Sequence, residues 1–265
     1  YLGDSHTHTW SSYYFIEMGA SGESMFLSSA AAGLQWQQIT DHAYNMTPGK
    51  WQSMANDVAI GNNIPGFIAL HGFECDDGYG LGDAHHFLCF DVPDYIDTYQ
   101  VDPPVTDSLA TIQAWNGFSY GAHTTTDGWV WSDQEVYDAL AYSCFRGFED
   151  YNERNAYDSE DTLNPWGDTP ATGNWDEVDT GWDSDLIAGL ARWDKVLSEY
   201  MNNTRYDIFF MGGSDAHGSM NYHVEWDFLG GNLLYGSTCD ALGKVRNAVY
   251  VPGTFNQTNL YDALY

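Results

Sequence analysis

The sequence predicts an α/β fold whose core is a parallel, barrel-like sheet, and three observations lead there. The chain has 265 residues, enough for one barrel-sized domain with a large buried core. Short apolar segments of strand length alternate with segments of helical length and spacing, the pattern of βαβ units. Polar, chemistry-bearing residues gather where the strand-like segments end, and in parallel barrels those ends share one rim.

The expected strands are Trp36–Thr40, Gly66–Phe73, His86–Phe90, Phe118–Ala122, Phe145–Phe148 and Tyr206–Met211, each bounded by polar residues. Between them Glu23–Leu34, Trp51–Ile60, Ser108–Trp115, Ser132–Ala141 and Ser184–Met201 have helical length and spacing. Ser108 and Ser132 suit N-caps, and the acids at Asp133 and Glu135 suit a first helical turn. Tyr157–Trp182, rich in Asp, Gly, Pro, Thr and Trp, reads as a long surface excursion, the kind of loop that often serves as a lid. Residues 1–265 are read as a single domain, which "LGKVRNAVYVPG" closes with a helix and a strand.

Charge excludes one class of partner. Eight Lys and Arg against 38 Asp and Glu give a net charge of −30, which repels nucleic acid rather than steering it in. An acidic, lysine-poor surface suits a protein facing high salt or the cell exterior. The chain starts at Tyr1 rather than Met, as expected of a secreted or cell-surface protein that has lost a leader, or of a fragment. Asn45, Asn202 and Asn256 begin Asn-x-Thr triplets that would accept glycans on export. No run approaches the ~18 apolar residues of a spanning helix. Cys75, Cys89, Cys144 and Cys239 lack C-x-x-C spacing, so a cysteine-zinc site is not expected. Up to two disulfides fit an exported chain, although Cys89 and Cys144 lie in apolar runs that suit buried thiols.

"YLGDSHTHTW" sets His6 and His8 on one face of an extended segment. "ITDHAYN" puts Asp41 and His42 at a strand's end, "LHGFECDD" does the same with Glu74, and "DAHHFLCFD" opens a strand with His85 and His86. "YGAHTTTDG" supplies His123, and "FFMGGSDAHGS" supplies Asp215 and His217. Seven of the nine histidines thus fall at strand ends, leaving His71 and His223 to ordinary packing or surface. Imidazole and carboxylate without thiolate suit Zn²⁺, Mn²⁺ or Fe²⁺ better than Ca²⁺. These candidate ligands exceed the four of one tetrahedral ion, so two or three divalent metal ions are expected. A metal pair about 3.5–4 Å apart activates water and offsets charge on the substrate, which favours hydrolysis.

The ordered set "HTHT … TDH … GFE … HHF … AHT … EDYN … GSDAH" resembles the polymerase and histidinol phosphatase (PHP) superfamily, over Gly3 to about Gly218. The pattern comes nearest to its secreted and carbaryl-hydrolase-like branches. The resemblance implies a distorted (β/α)7 TIM-like barrel with a two- or three-metal site. It makes His6 and His8 ligands of one metal and Glu74 a bridging carboxylate. It brings in Asp215 and His217, and gives His42, His86 and His123 to the remaining positions. His85 competes with His86, which is preferred because Phe87 starts the apolar strand. Asp41 is read as a ligand or as the holder of a ligating imidazole. Glu149 and Asn152 match a polar step of "FEDYNERN". Where the family commonly has a His or Asp after the first motif, this chain has Ser11 and Ser12.

The implied activity is a metal-dependent phosphoesterase in which a metal-bridging hydroxide attacks phosphorus. Arg154 is the best-placed phosphate clamp, with Arg146 behind it, among only three lysines and five arginines. Trp129 and Trp131 follow His123 and could wall a pocket. That scarcity of cations keeps a carboxylic or carbamic ester hydrolase as the nearest rival. A self-assembling, filament-like structural subunit with a degenerate site is the non-enzymatic alternative.

Overall fold

The computed structural model describes residues 1–12, 20–76, 85–98, 103–125, 131–152, 184–200, 207–216, 227–228, 231–232 and 245–265. Along the chain come β1 (Leu2–Asp4), α1 (Gly22–Ala31), β2 (Trp36–Ile39), α2 (Pro48–Gly61), β3 (Ile68–His71), β4 (Phe73–Asp76), β5 (His86–Phe90), α3 (Val105–Ala114) and β6 (Phe118–Gly121). They are followed by α4 (Asp133–Leu140), β7 (Phe145–Asn152), α5 (Ser184–Tyr200), β8 (Phe209–Gly213), the two-residue strands β9 (Asp227–Phe228), β10 (Gly231–Asn232) and β11 (Asn247–Ala248), and α6 (Gln257–Leu264). The class is mixed α/β.

Local chemistry starts the helices. The hydroxyls of Ser21 and Thr47 accept from the backbone N–H of Ser24 and Lys50, and α2 opens on Pro48. At α4, Ser132 and Glu135 form the reciprocal capping box. Ser108 is not a cap: α3 begins three residues earlier, after Pro104, and Ser108 lies buried within it. A proline at the head of a helix is a start signal, and it outranks a serine inside the periodic run.

Among the described residues, besides the antiparallel pair β10-β9, two larger sheets form, in the orders β11-β1-β2-β3 and β4-β5-β6-β7-β8. β1, β2 and β3 are mutually parallel, as are β6, β7 and β8, but β5 runs antiparallel to both β4 and β6. This departs from the all-parallel expectation because only nine residues separate Asp76 from His86, fewer than the dozen a parallel crossover needs. The expected strand Gly66–Phe73 is two strands in different sheets, broken at Gly72. A side chain there would meet the Cys89 carbonyl at 2.2 Å and the Gln38 amide at 2.4 Å, so glycine permits the close passage between sheets. Among the described residues neither sheet closes into a barrel. Isolated parallel bridges, Thr7 with Ala216 and His42 with Glu74, join the two sheets at one rim.

Strand alternation sorts the interior into two layers. Phe73, Cys75, Phe87 and Cys89 pack outward with Phe26, Leu109, Ile112, Val136 and Val196 of the helices. Ile68, Leu70, Leu88, Phe90, Tyr120 and Met211 face the other way, packing with Trp36 and with Leu260, Tyr261 and Leu264 of α6. Glu74, Asp76 and His86 share the parity of this inner layer, so the polar centre sits above an apolar plug. Cys89 and Cys144 are buried thiols that donate to the carbonyls of Phe87 and Leu109.

His71 has outward parity and packs against Trp51, the rings tilted by 31° with centroids 3.8 Å apart. Burial pushes its pKa down to about 4, and among the described residues its Nε2 finds no hydrogen-bond partner. The folded protein therefore keeps His71 neutral where the unfolded chain, titrating near 6.5, takes up a proton. Stability present above pH 6.5 is lost as the pH falls towards 4. Urea unfolding at pH 7 and pH 4.5 should show His71→Phe losing about 2–3 kcal/mol less than the wild type over this interval; equal losses would contradict the assignment.

Candidate metal centre

The rim carries an almost wholly buried cluster of imidazoles and carboxylates. His6 and His8 leave β1, Asp41 and His42 leave β2, Glu74 and Asp76 lie in β4, His123 follows β6, Glu149 lies in β7 and Asp215 follows β8. His86 reaches the same rim from the opposite direction, as the first residue of the reversed β5. His123 and Asp215 hold left-handed backbone angles, φ +32° and +51°, a strain that non-glycine residues accept mainly at functional sites. Each backbone is held there: His123 N–H donates to Glu149 Oε2 at 2.9 Å and Asp215 N–H to the His6 carbonyl at 2.9 Å.

Glu74 is the hub. Its Oε2 lies 3.4 Å from His6 Nε2, 3.2 Å from His8 Nε2 and 3.1 Å from His42 Nδ1. Its Oε1 lies 2.9 Å from His86 Nδ1 and 3.1 Å from His123 Nε2. Asp215 Oδ1 is 3.0 Å from His8 Nε2 and 3.4 Å from His6 Nε2, and these two ring nitrogens are 3.0 Å apart. Donor atoms that share an ion at 2.0–2.2 Å are about 3.0–3.5 Å from one another, so these separations are those of a coordination shell. Glu74 Oε2 is buried beside three ring nitrogens and, among the described residues, makes no hydrogen bond, as fits an atom facing a cation. Among the described residues two sets of donors converge within 4.8 Å: His6, His8 and Glu74, and His42, Glu74, Asp76 and His86.

The charge balance asks for cations. Burial disfavours a charged His6, but the carboxylates of Glu149, Asp215 and Glu74 outweigh it and raise the His6 pKa well above its usual value. Burial likewise opposes a charged Glu74, and the rings of His42, His6 and His86 hold its pKa well below the usual range. Without metal, protons on histidine must balance the buried acids; divalent ions would displace those protons on binding.

Partners one step back aim the rings. Glu149 meets His6 Nδ1 with both oxygens at 3.2 Å, directing Nε2 inward. The Ser12 hydroxyl lies 2.8 Å from His8 Nδ1 and donates to Asp41 Oδ1 at 2.6 Å. Asp41 also accepts from Thr9 N–H and Thr9 Oγ1, both at 2.8 Å. Asp41 is thus a positioning residue for His8, acting through Ser12, and stands outside the donor sets. The tight Thr9–Ser12 turn that occupies its oxygens has no periodic sequence signal.

The structure therefore brings together His6, His8, His42, Glu74, His86, His123 and Asp215. His217 and Arg154 lie outside the described residues, as do Trp129, His223 and the 157–182 excursion. His85 turns away to Glu135 at 3.1 Å. Arg146 is the second residue of β7, at the far end of the sheet, paired with Asp207 and 4.2 Å over the Tyr265 ring, which places it away from the cluster. Trp131 is core, stacked on Phe145. Asp76 was missed, although alternation from Glu74 would have found it. Lys50, which donates to the Ser11 carbonyl at 2.7 Å, brings a cation near Asp41.

No protein-family model and no curated protein matches the chain. Among solved structures it is similar to a protein from Bifidobacterium adolescentis provisionally named a metal-dependent phosphoesterase, with TM-score 0.50 and 14% identity over 99% of this chain and 95% of that one. An amidohydrolase from Chromobacterium violaceum, solved with sulfate and no metal, gives TM-score 0.49 and 11% identity over 82% and 87% of the two chains. The first likeness is one of fold, an α/β architecture shared along nearly the whole of both chains.

Proposed function

We propose that the protein is a metal-dependent hydrolase of the PHP type, acting on a phosphate ester. One observation carries this reading: Glu74 is common to two converging donor sets, the arrangement of a carboxylate bridging two cations. Such a pair supplies Lewis acidity, acidifying water and offsetting charge on the ester oxygens. His6, His8, Glu74 and Asp215 would hold one cation, and Glu74, His42, His86 and His123 the other, with His217 as a further ligand.

Glu149 and the Ser12–Asp41 pair fix the rings of His6 and His8, so little reorganisation accompanies binding. Water adds to phosphorus, the ester P–O bond breaks, and the alcohol leaves with a proton. Arg154 is proposed to steady the phosphoryl oxygens. The fold reading extends to a single distorted (β/α)7 barrel over residues 1–265, and the acidic composition supports an exported protein. No helix among the described residues is long and apolar enough to cross a membrane. The scarcity of cationic side chains favours a carboxylic or carbamic ester as the second substrate reading.

Elemental analysis of protein purified without added metal, with hydrolysis of an aryl phosphate and an aryl ester, tests this. Two or more divalent ions per chain are expected, with phosphate hydrolysis that a chelator abolishes and Mn²⁺ or Zn²⁺ restores. Preferential ester cleavage would move the assignment to the second substrate. No bound metal even after addition would refute the hydrolase.

A further inference from the structure

Building on the metal-dependent reading above, we propose that Asp76 ligates the outer of two cations, and that this outer cation exchanges with solvent while the inner one stays bound.

Asp76 is two residues from Glu74 on β4, so both carboxylates leave the strand on the same face. Its Oδ2 accepts from the Tyr44 N–H at 3.3 Å. That anchor leaves Oδ1 directed at the imidazoles, 2.8 Å from His42 Nδ1 and 3.4 Å from His86 Nε2. The same His42 nitrogen lies 3.1 Å from Glu74 Oε2. Nδ1 is thus the inward atom of that ring, flanked by two carboxylates, where a ligating nitrogen belongs. If Asp76 merely oriented His42, the ring would present its other nitrogen to the cation, away from Glu74. Added to His42, His86, His123 and Glu74, Asp76 makes a set of three nitrogens and two carboxylates, suited to Mn²⁺, Fe²⁺ or Zn²⁺.

The two sets differ in access. The side chains of His6 and His8 are 0% exposed, and behind them stand Glu149 and the Ser12–Asp41 pair. The side chains of His42 and His86 are 9% and 12% exposed. The second set lies nearer the surface, so ligand exchange there needs a smaller opening of the core than at the first. Activity should accordingly follow free metal concentration through the outer position alone.

The full chain, stripped with chelator and titrated with Mn²⁺ while free ion is read by its EPR signal, tests this directly. The wild type should bind in two classes. Asp76→Asn, which keeps shape and the Tyr44 contact, should retain the tight class within about 3-fold and weaken the other at least about 100-fold, beyond the 10–100-fold typical of a residue behind a ligand. His86→Gln, at a more exposed position, should lose the same class, and thermal melts establish that both variants fold. Two unchanged classes in Asp76→Asn, loss of the tight class instead, or a single class of two equal sites in the wild type would overturn the proposal. A wild type that binds no Mn²⁺ would instead sink the metal-dependent reading beneath it.

Discussion

Replacing Glu74 by glutamine is expected to lower kcat/KM by at least about 1,000-fold and to empty both cation positions together. The magnitude follows from its place: partners behind a ligand cost 10–100-fold, and Glu74 is the carboxylate shared by both donor sets. Glutamine preserves volume and an acceptor for His86 and His123, but its amide cannot offer a second anionic oxygen to the gap where Glu74 Oε2 sits beside three ring nitrogens. Fold should survive, as judged by an unchanged far-ultraviolet spectrum and a cooperative melt. Elemental analysis should find less than one ion per chain. Retention of one full equivalent with residual turnover would mean that the two sets are independent, and Glu74 would not be a bridge.

The largest structural effect is expected from Gly147→Ala. Gly147 has φ +148°, and a β-carbon there would lie 1.7 Å from the Phe209 carbonyl oxygen and 2.7 Å from its carbon. Those are backbone atoms of the paired strand β8, so no side-chain rotation relieves the overlap. The strands must separate, breaking ladder hydrogen bonds two residues before Glu149. A loss of roughly 3–5 kcal/mol is expected, in the range reserved for backbone strain and broken buried networks. For a chain of this size that is a fall in Tm of about 6–15 °C. Because β7 carries Glu149 to His6 and His123, metal affinity should fall with it. A melt within 2 °C or so of the wild type would show that β7 and β8 are not paired as described.

Much of the architecture was legible because it is periodic. Apolar runs marked β2, β5, β6 and the start of β7, and Ser132 with Glu135 marked the start of α4. The histidine pair His6 and His8 was readable as a one-face pair by strand alternation alone. What escaped depended on contacts far apart in sequence. β1 spans three residues, too few to show a period. The break at Gly72 is set by Cys89 and Gln38, and no local pattern announces it. His86 owed its expected metal position to the family resemblance; as the first residue of its strand it would face the opposite rim in an all-parallel sheet, and it reaches the site because β5 is reversed. Asp41 was open by position to two readings, a ligand or the holder of a ligating imidazole, and its contacts to Thr9 and to the Ser12 hydroxyl beside His8 favour the second. Arg146 looked like a clamp by composition, yet it is anchored at the far end of its strand by Asp207 and Tyr265. Asp76 needed only the alternation already used for the histidines.

Anomalous diffraction from crystals grown with Mn²⁺ is the most direct test of a carboxylate-bridged pair. The expected map has two peaks about 3.5–4 Å apart, one on each side of the Glu74 carboxylate. His6, His8 and Asp215 should surround the first peak, and His42, His86, His123 and Asp76 the second. A map with no peak at Glu74, or with a lone ion that Glu74 does not touch, would contradict the account.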